Sequence, residues 1–198
     1  MDGTPRDPAR RAHAEECAEL PDEARCLELL AGSGLPEKRI AHSLAVAEVA
    51  VALAAALNER GLQLCVPLVR AGGLLHDIAR AQEQHPAAGA DFLEGLGYSR
   101  VAAVVRLHMD LGGPAGPTVD ETRLVFLADK LVRGDRVVGL ERRFAVRFAR
   151  WADDPKMLAA TLRRKAQAEE VLARVEGLLG RPVTDVLPAG LVDDPGSA

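Results

Sequence analysis

Aromatic side chains are scarce in this sequence: four phenylalanines, one tyrosine and one tryptophan, 3% of 198 residues. A β-sandwich draws its core largely from aromatic and β-branched residues, so the composition argues against one. Ala, Leu, Val and Arg dominate instead, residues that suit closely packed helices, and the expected fold class is all-α. Cysteine is also sparse. Cys17, Cys26 and Cys65 form no CxxC pair and are odd in number, which argues against a disulfide framework and for a reducing, cytoplasmic setting. There is no excess of basic residues, with 25 Lys and Arg against 29 Asp and Glu, a net charge of -4 and a pI near 5.8. Bulk nucleic-acid or anionic-membrane binding is therefore not expected, and any phosphate binding must be local. The most apolar run, Leu44 to Leu57, is shorter than the roughly 20 residues that span a bilayer, and it carries Glu48. Met1 to Arg6 has no apolar stretch of the signal-peptide kind. These absences point to a soluble intracellular protein.

Residues 1–20 read as a flexible N-terminal segment, 21–180 as one helical domain, and 181–198, rich in Pro, Gly and Asp, as a fraying tail. Within the domain, apolar periodicity and Pro/Gly punctuation predict helices over Pro21–Leu30, from Pro36 to before Gly61, from Pro67 toward His76, after His85-Pro86, from Ser99 to His108, and over Thr118–Val132. Two amphipathic helices, Gly139–Trp151 and Pro155–Leu179, follow. Gly72 and Gly73 each cost a helix about 1 kcal/mol relative to Ala, so a neighbouring helix is expected to approach them closely and bring its own ligand near His76. The loop from Gly112 to Pro117 directly follows His108 and is a candidate lid. Arg163-Arg164-Lys165, with Glu169-Glu170, reads as a solvated outer face.

The chemistry lies in what those helices carry inward. His42 falls on the apolar stripe with Val46, Val49, Leu53 and Leu57; His76 and Asp77 are adjacent at the end of an apolar segment. His85 stands at a helix start, His108 on a stripe with Val101, Val104 and Val105, and Asp129 one turn after Val125. Buried carboxylates and imidazoles are costly unless they are paired or bound to a cation, and a metal satisfies all six groups at once. A lone histidine on an apolar stripe is more often a hydrogen-bonded core residue; the adjacent His-Asp pair is what shifts the reading toward a metal site. Imidazole with carboxylate, and no cysteine, suits iron, manganese, nickel or zinc in a non-structural role.

The order His42, His76-Asp77, His85, His108, Asp129 resembles the HD-domain metal-dependent phosphohydrolase superfamily, over about residues 36–140. The resemblance implies an HD-domain helical bundle over 21–180, including a C-terminal helical extension. It also implies two divalent transition metals, iron first, with His42, His76, Asp77 and Asp129 on one, His85 and His108 on the other, and Asp77 bridging. Within the superfamily, Arg39-Ile40-Ala41-His42, Leu75-His76-Asp77-Ile78-Ala79 and Ala128-Asp129-Lys130 resemble the bacterial symmetrical diadenosine tetraphosphatases, with Arg80 where Lys is usual. Gly134-Asp135-Arg136-Val137-Val138 and Glu141-Arg142-Arg143-Phe144 resemble HD domains associated with molybdenum-cofactor nucleotidyltransferases. The implied activity is hydrolysis of a phosphomonoester or phosphoanhydride of a nucleotide-like small molecule by a metal-bridged hydroxide, with His76 and Asp77 at its catalytic heart. Arg39, Arg80, Lys130, Arg133 and Arg136 are the candidate phosphate clamps, and Asp110 a weaker candidate for proton transfer. Two rivals stand beside this reading: a di-iron HD-type oxygenase, and a regulatory or docking module for a nucleotidyltransferase partner. A homodimer is compatible with either.

Overall fold

The computed structural model describes residues 20–193, so all but the last residue of the 1–20 segment, and residues 194–198, lie outside the described residues. Its helices are α1 (Glu23–Gly32), α2 (Glu37–Glu59), α3 (Val66–Leu75), α4 (His85–Gly95), α5 (Ser99–Leu107), α6 (Glu121–Leu131), α7 (Gly139–Arg150) and α8 (Pro155–Leu179). A short antiparallel hairpin, β1 (Val132–Arg133) and β2 (Arg136–Val137), joins α6 to α7. The fold is all-α apart from that ribbon. Several helix starts follow from local chemistry: the carboxylates of Asp22, Asp120 and Asp154 accept hydrogen bonds from the Arg25, Arg123 and Met157 amides at 2.7, 2.9 and 3.0 Å, satisfying donors that a helix start leaves free. Gly180, with φ +70°, ends α8 in the left-handed region that glycine adopts without strain.

The long α2 is the centre of the bundle, packed against α3, α6 and α8. By length and composition it would also suit a membrane span, but 61% of its most apolar window is buried inside the protein. Its core stripe of Val46, Val49, Leu53 and Leu57 is fully enclosed. α3 crosses it so tightly that a Cβ built on Gly73 would lie 2.6 Å from Ala47 Cα, and one on Gly72 would lie 2.7 Å from Val104 Cγ1. The glycine pair thus trades helix propensity for close approach, as expected, and the approach is to α2 on one side and α5 on the other.

Two expectations need correcting. The break at Gly134 is a hairpin turn (φ +63°), with Val132 facing Val137 and Arg133 facing Arg136. The part of the expected fraying tail that is described, 181–193, is docked: the Val137 amide donates to Leu191 O at 2.7 Å, the Asp193 amide to Val137 O at 3.1 Å, and Val183 and Leu187 are buried. Apolar residues spaced among the prolines pin this stretch, a signal its overall composition concealed. Cys26 is a buried free thiol.

Candidate metal centre

Five separate chain segments deliver the polar groups to one point. His42 comes from the first turns of α2, His76 and Asp77 from the C-terminal end of α3, His85 from the first position of α4, His108 from the C-terminal end of α5, and Asp129 from α6. All six side chains are buried, His76 and His108 completely. The rings pack in a chain, with centroid separations of 5.4 Å for His42 and His76, 5.1 Å for His76 and His108, and 5.2 Å for His85 and His108.

Hydrogen bonds on the far side of each ring decide what faces inward. Nδ1 of His42, His76 and His108 lies 2.8, 2.8 and 2.6 Å from the carbonyl oxygens of Gly134, Gly73 and Val105. A carbonyl only accepts, so each Nδ1 carries the proton and donates it, and each Nε2 turns a bare lone pair toward the centre. There those lone pairs meet carboxylate oxygens, which also only accept. His42 Nε2 is 3.2 Å from Asp129 Oδ1; His76 Nε2 is 3.8 Å from Asp77 Oδ2 and 3.9 Å from Asp129 Oδ1; His108 Nε2 is 3.4 Å from Asp77 Oδ1. Nε2 of His76 and of His108 are buried without a hydrogen-bond partner. Where these three imidazoles face the carboxylates, lone pair meets lone pair, an arrangement that is repulsive by itself and that a cation satisfies, so the residues present fit a metal.

Two triads of these donors are close enough to share an ion each: His42, His76 and Asp77, and Asp77, His85 and His108. Asp77 belongs to both, with Oδ2 toward His76 and Oδ1 toward His85 and His108, at 3.2 Å for His85 Nε2. His85 differs from the other three because its Nδ1 lies 2.9 Å from the Arg80 guanidinium, a donor and not a carbonyl.

Charge states agree with this arrangement. Burial lowers His76 to about 4, so it is a neutral ligand at physiological pH. Burial alone pushes Asp77 and Asp129 upward, but their surroundings overturn it. Lys130, and after it Arg143, hold Asp129 well below the ordinary carboxylate range. Asp77 and Asp129, both held ionised, present negative charge to an incoming cation.

Of the five candidate clamps, the structure brings two to the site's approach. Arg39 and Arg80 line a cleft of about 440 Å³ next to His85, and Arg80 Nε lies 3.5 Å from Asp77 Oδ2. Lys130 is fully buried; its amine donates to Asp129 Oδ2 at 2.6 Å and His108 O at 2.9 Å and sits 4.6 Å from the Phe126 ring centroid. It is an internal counter-ion, since the helix turn that points Asp129 inward leaves its neighbour no path to solvent. Arg133 and Arg136 are exposed on the hairpin, where Arg136 donates to Gly190 O. Asp110 is taken up by Arg163 and Gln167, at 2.5 and 3.2 Å. The same contacts tie the candidate lid down: Gln167 Nε2 donates to Gly113 O at 2.6 Å and the Ala115 amide to Glu170 at 3.1 Å.

The rest of the cleft wall escaped the sequence reading. Arg143, Arg147 and Arg150 on α7, Trp151 just beyond it, and Arg164 on α8 all face it. The spacing of four and three along α7 was the available signal, and Arg164 was masked by its charged neighbours.

A family model, the HD domain, matches residues 39–134, a span that contains all six buried ligand-type residues. The chain belongs to the HD-domain family. Among relatives, a protein of Methanocaldococcus jannaschii described as uncharacterised is 34% identical over 53% of this chain and 72% of its own length. The tRNA (cytidine(56)-2'-O)-methyltransferases of Thermoplasma volcanium and Picrophilus torridus are 37% and 31% identical over 62% and 66% of this chain. The match covers 40% and 42% of those two enzymes, so this HD protein corresponds to about two fifths of their length. No solved structure matches it.

Proposed function

We propose that this HD protein is a metal-dependent phosphohydrolase acting on a phosphomonoester or phosphoanhydride of a nucleotide-like small molecule. The observation that carries the reading is the junction of two features. A cluster in which three imidazole lone pairs face two carboxylates, and which needs cations, opens onto an arginine-lined cleft that needs anions, and Asp77 and Arg80 join them at 3.5 Å. A phosphate ester spanning that junction meets both demands.

His42, His76, Asp77 and Asp129 would hold one metal, and Asp77, His85 and His108 a second. Bound divalent metals supply Lewis acidity and lower the pKa of coordinated water toward neutrality. The chain's own residues do the rest. Carbonyls of Gly134, Gly73 and Val105 fix three imidazoles in the ligating tautomer. Lys130 balances Asp129 from the interior. Arg80 and Arg39, at the cleft, orient phosphoryl oxygens and stabilise charge as it develops on them. Trp151 and Val146 give the cleft an apolar wall suited to the non-phosphate part of the substrate. The methyltransferase name belongs to proteins more than twice the length of the shared segment, and the groups gathered here are of the phosphoryl-transfer kind.

Metal analysis of anaerobically purified protein, followed by a nucleotide panel, tests the proposal. The expected result is one or two transition metals per chain, with iron first in line, and release of phosphate or nucleotide that chelation abolishes. An Asp77→Ala protein that kept full activity would remove the reading. Oxygen consumption without phosphate release would support the oxygenase alternative in its place.

A further inference from the structure

Arg143, Arg147 and Arg150 lie four and three residues apart on α7 and so share one helix face. That face, Arg164 of α8, and Arg39 and Arg80 surround the cleft beside His85, and among the described residues Glu83 is the one acidic residue in its wall. In a chain of net charge -4 this is a local inversion of charge. The guanidiniums are also short of partners. Among the described residues the side chains of Arg39 and Arg147 make no hydrogen bond or ion pair, the Nε of Arg143 is buried without a hydrogen-bond acceptor, and the buried Nε of Arg164 has a long 3.5 Å contact with Asp110 Oδ2. Arg143 and Arg80 touch the carboxylates of the metal cluster, at 3.6 Å to Asp129 and 3.5 Å to Asp77, so the cationic wall begins at the metals and runs outward along α7. Burial, and then the like charge of Arg143, push Arg147 below the ordinary arginine range, Asp129 opposes them, and Arg164 and Arg80 add to the lowering. Like charges are not crowded together in a half-buried cleft without a standing anion to answer them.

We propose that Arg143, Arg147 and Arg164, all outside the segment that matches the family model, form a subsite for a second phosphoryl group, so that the substrate carries two or more linked phosphates. The assignment rests on the phosphohydrolase reading for the place of the first phosphate only. One phosphate engages one or two guanidinium forks, each through paired N–H donors. That leaves most of this wall unanswered, whereas a diphosphate or longer chain beginning at the metals reaches Arg147 as its next contact.

The test is binding, not turnover. Metal-free full-length protein is titrated calorimetrically with inorganic pyrophosphate and with orthophosphate at near-physiological salt. Pyrophosphate is expected to bind at least about tenfold more tightly, and Arg147→Gln or Arg143→Gln to remove most of that preference, while Arg136→Gln, on the hairpin, leaves it intact. Arg147→Lys keeps the charge without the fork and serves where the Gln variants fail to fold; it should lose part of the preference. Equal binding of the two anions, or an Arg147→Gln protein of unchanged circular dichroism that keeps the preference, would overturn the subsite. So would binding of single-stranded RNA by a protein that binds no pyrophosphate. A protein that prefers pyrophosphate yet hydrolyses nothing in the panel would sink the phosphohydrolase reading and leave the subsite standing.

Discussion

Replacing Gly73 by Ala isolates the contact on which the metal centre depends. In an ordinary helix interior the change stabilises by roughly 0.5–1 kcal/mol, because glycine loses more backbone freedom on folding. Here the new methyl would stand 2.6 Å from Ala47 Cα and 3.0 Å from Ala47 N. Carbon atoms rest at about 3.5–4.0 Å, so α2 and α3 must separate by about 1 Å, and since the obstacle is backbone no rotamer change relieves it. Overpacking of this kind costs about 1–3 kcal/mol, with a backbone clash at the upper end, which leaves a net loss of about 2 kcal/mol. For a domain of this size that corresponds to a Tm lowered by about 4–8 °C. The same displacement moves His76, whose Nδ1 is anchored on the Gly73 carbonyl, away from His42 on α2, so metal content should fall together with stability. Gly177→Ala is the matched control: it is exposed within α8, has nothing within 4 Å of a built Cβ, and should raise stability by up to about 1 kcal/mol. Thermal unfolding and metal analysis of both variants read the outcome. A Gly73→Ala protein as stable as the parent, with full metal content, would refute the close-approach reasoning.

Two other perturbations follow from buried groups. Lys130→Met removes the amine that neutralises Asp129, and in metal-free protein it should cost about 3–5 kcal/mol in urea unfolding; a loss below about 1 kcal/mol would show that Lys130 is not the internal counter-ion. Cys26 is 1% exposed and burial pushes its thiol up to about 12, so at pH 8 only about one molecule in ten thousand carries the reactive thiolate. Peptide mapping after iodoacetamide treatment should find Cys26 unmodified in native protein and alkylated in urea, and rapid native labelling would contradict the packing of α1.

Helix periodicity, with Pro and Gly as punctuation, was enough to place α1 to α8 within a few residues of where they lie. His42, His76, Asp77, His85, His108 and Asp129 were legible as a set because each interrupts an otherwise apolar pattern, and a polar residue in a core must have a reason that sequence displays. The hairpin at Gly134 was not legible, since two-residue strands are too short to establish a period. Nor was the docking of 181–193, where Val183 and Leu187 are diluted by prolines and aspartates.

The division between the two kinds of information is clearest among the cations. Local spacing determined that Arg39 and Arg80 lie one turn from a ligand, and so where they must point. It could not separate Lys130 from Arg143, because both are charged residues on amphipathic helices. Only the packing of α6 under α5 and α7 turned Lys130 inward as the partner of Asp129, and only the crossing of α7 over α8 brought Arg143, Arg147 and Arg164 to one wall. Helix propensity and polarity are properties of neighbours along the chain; which face is covered, and by what, depends on segments far apart in sequence and exists only once they have met.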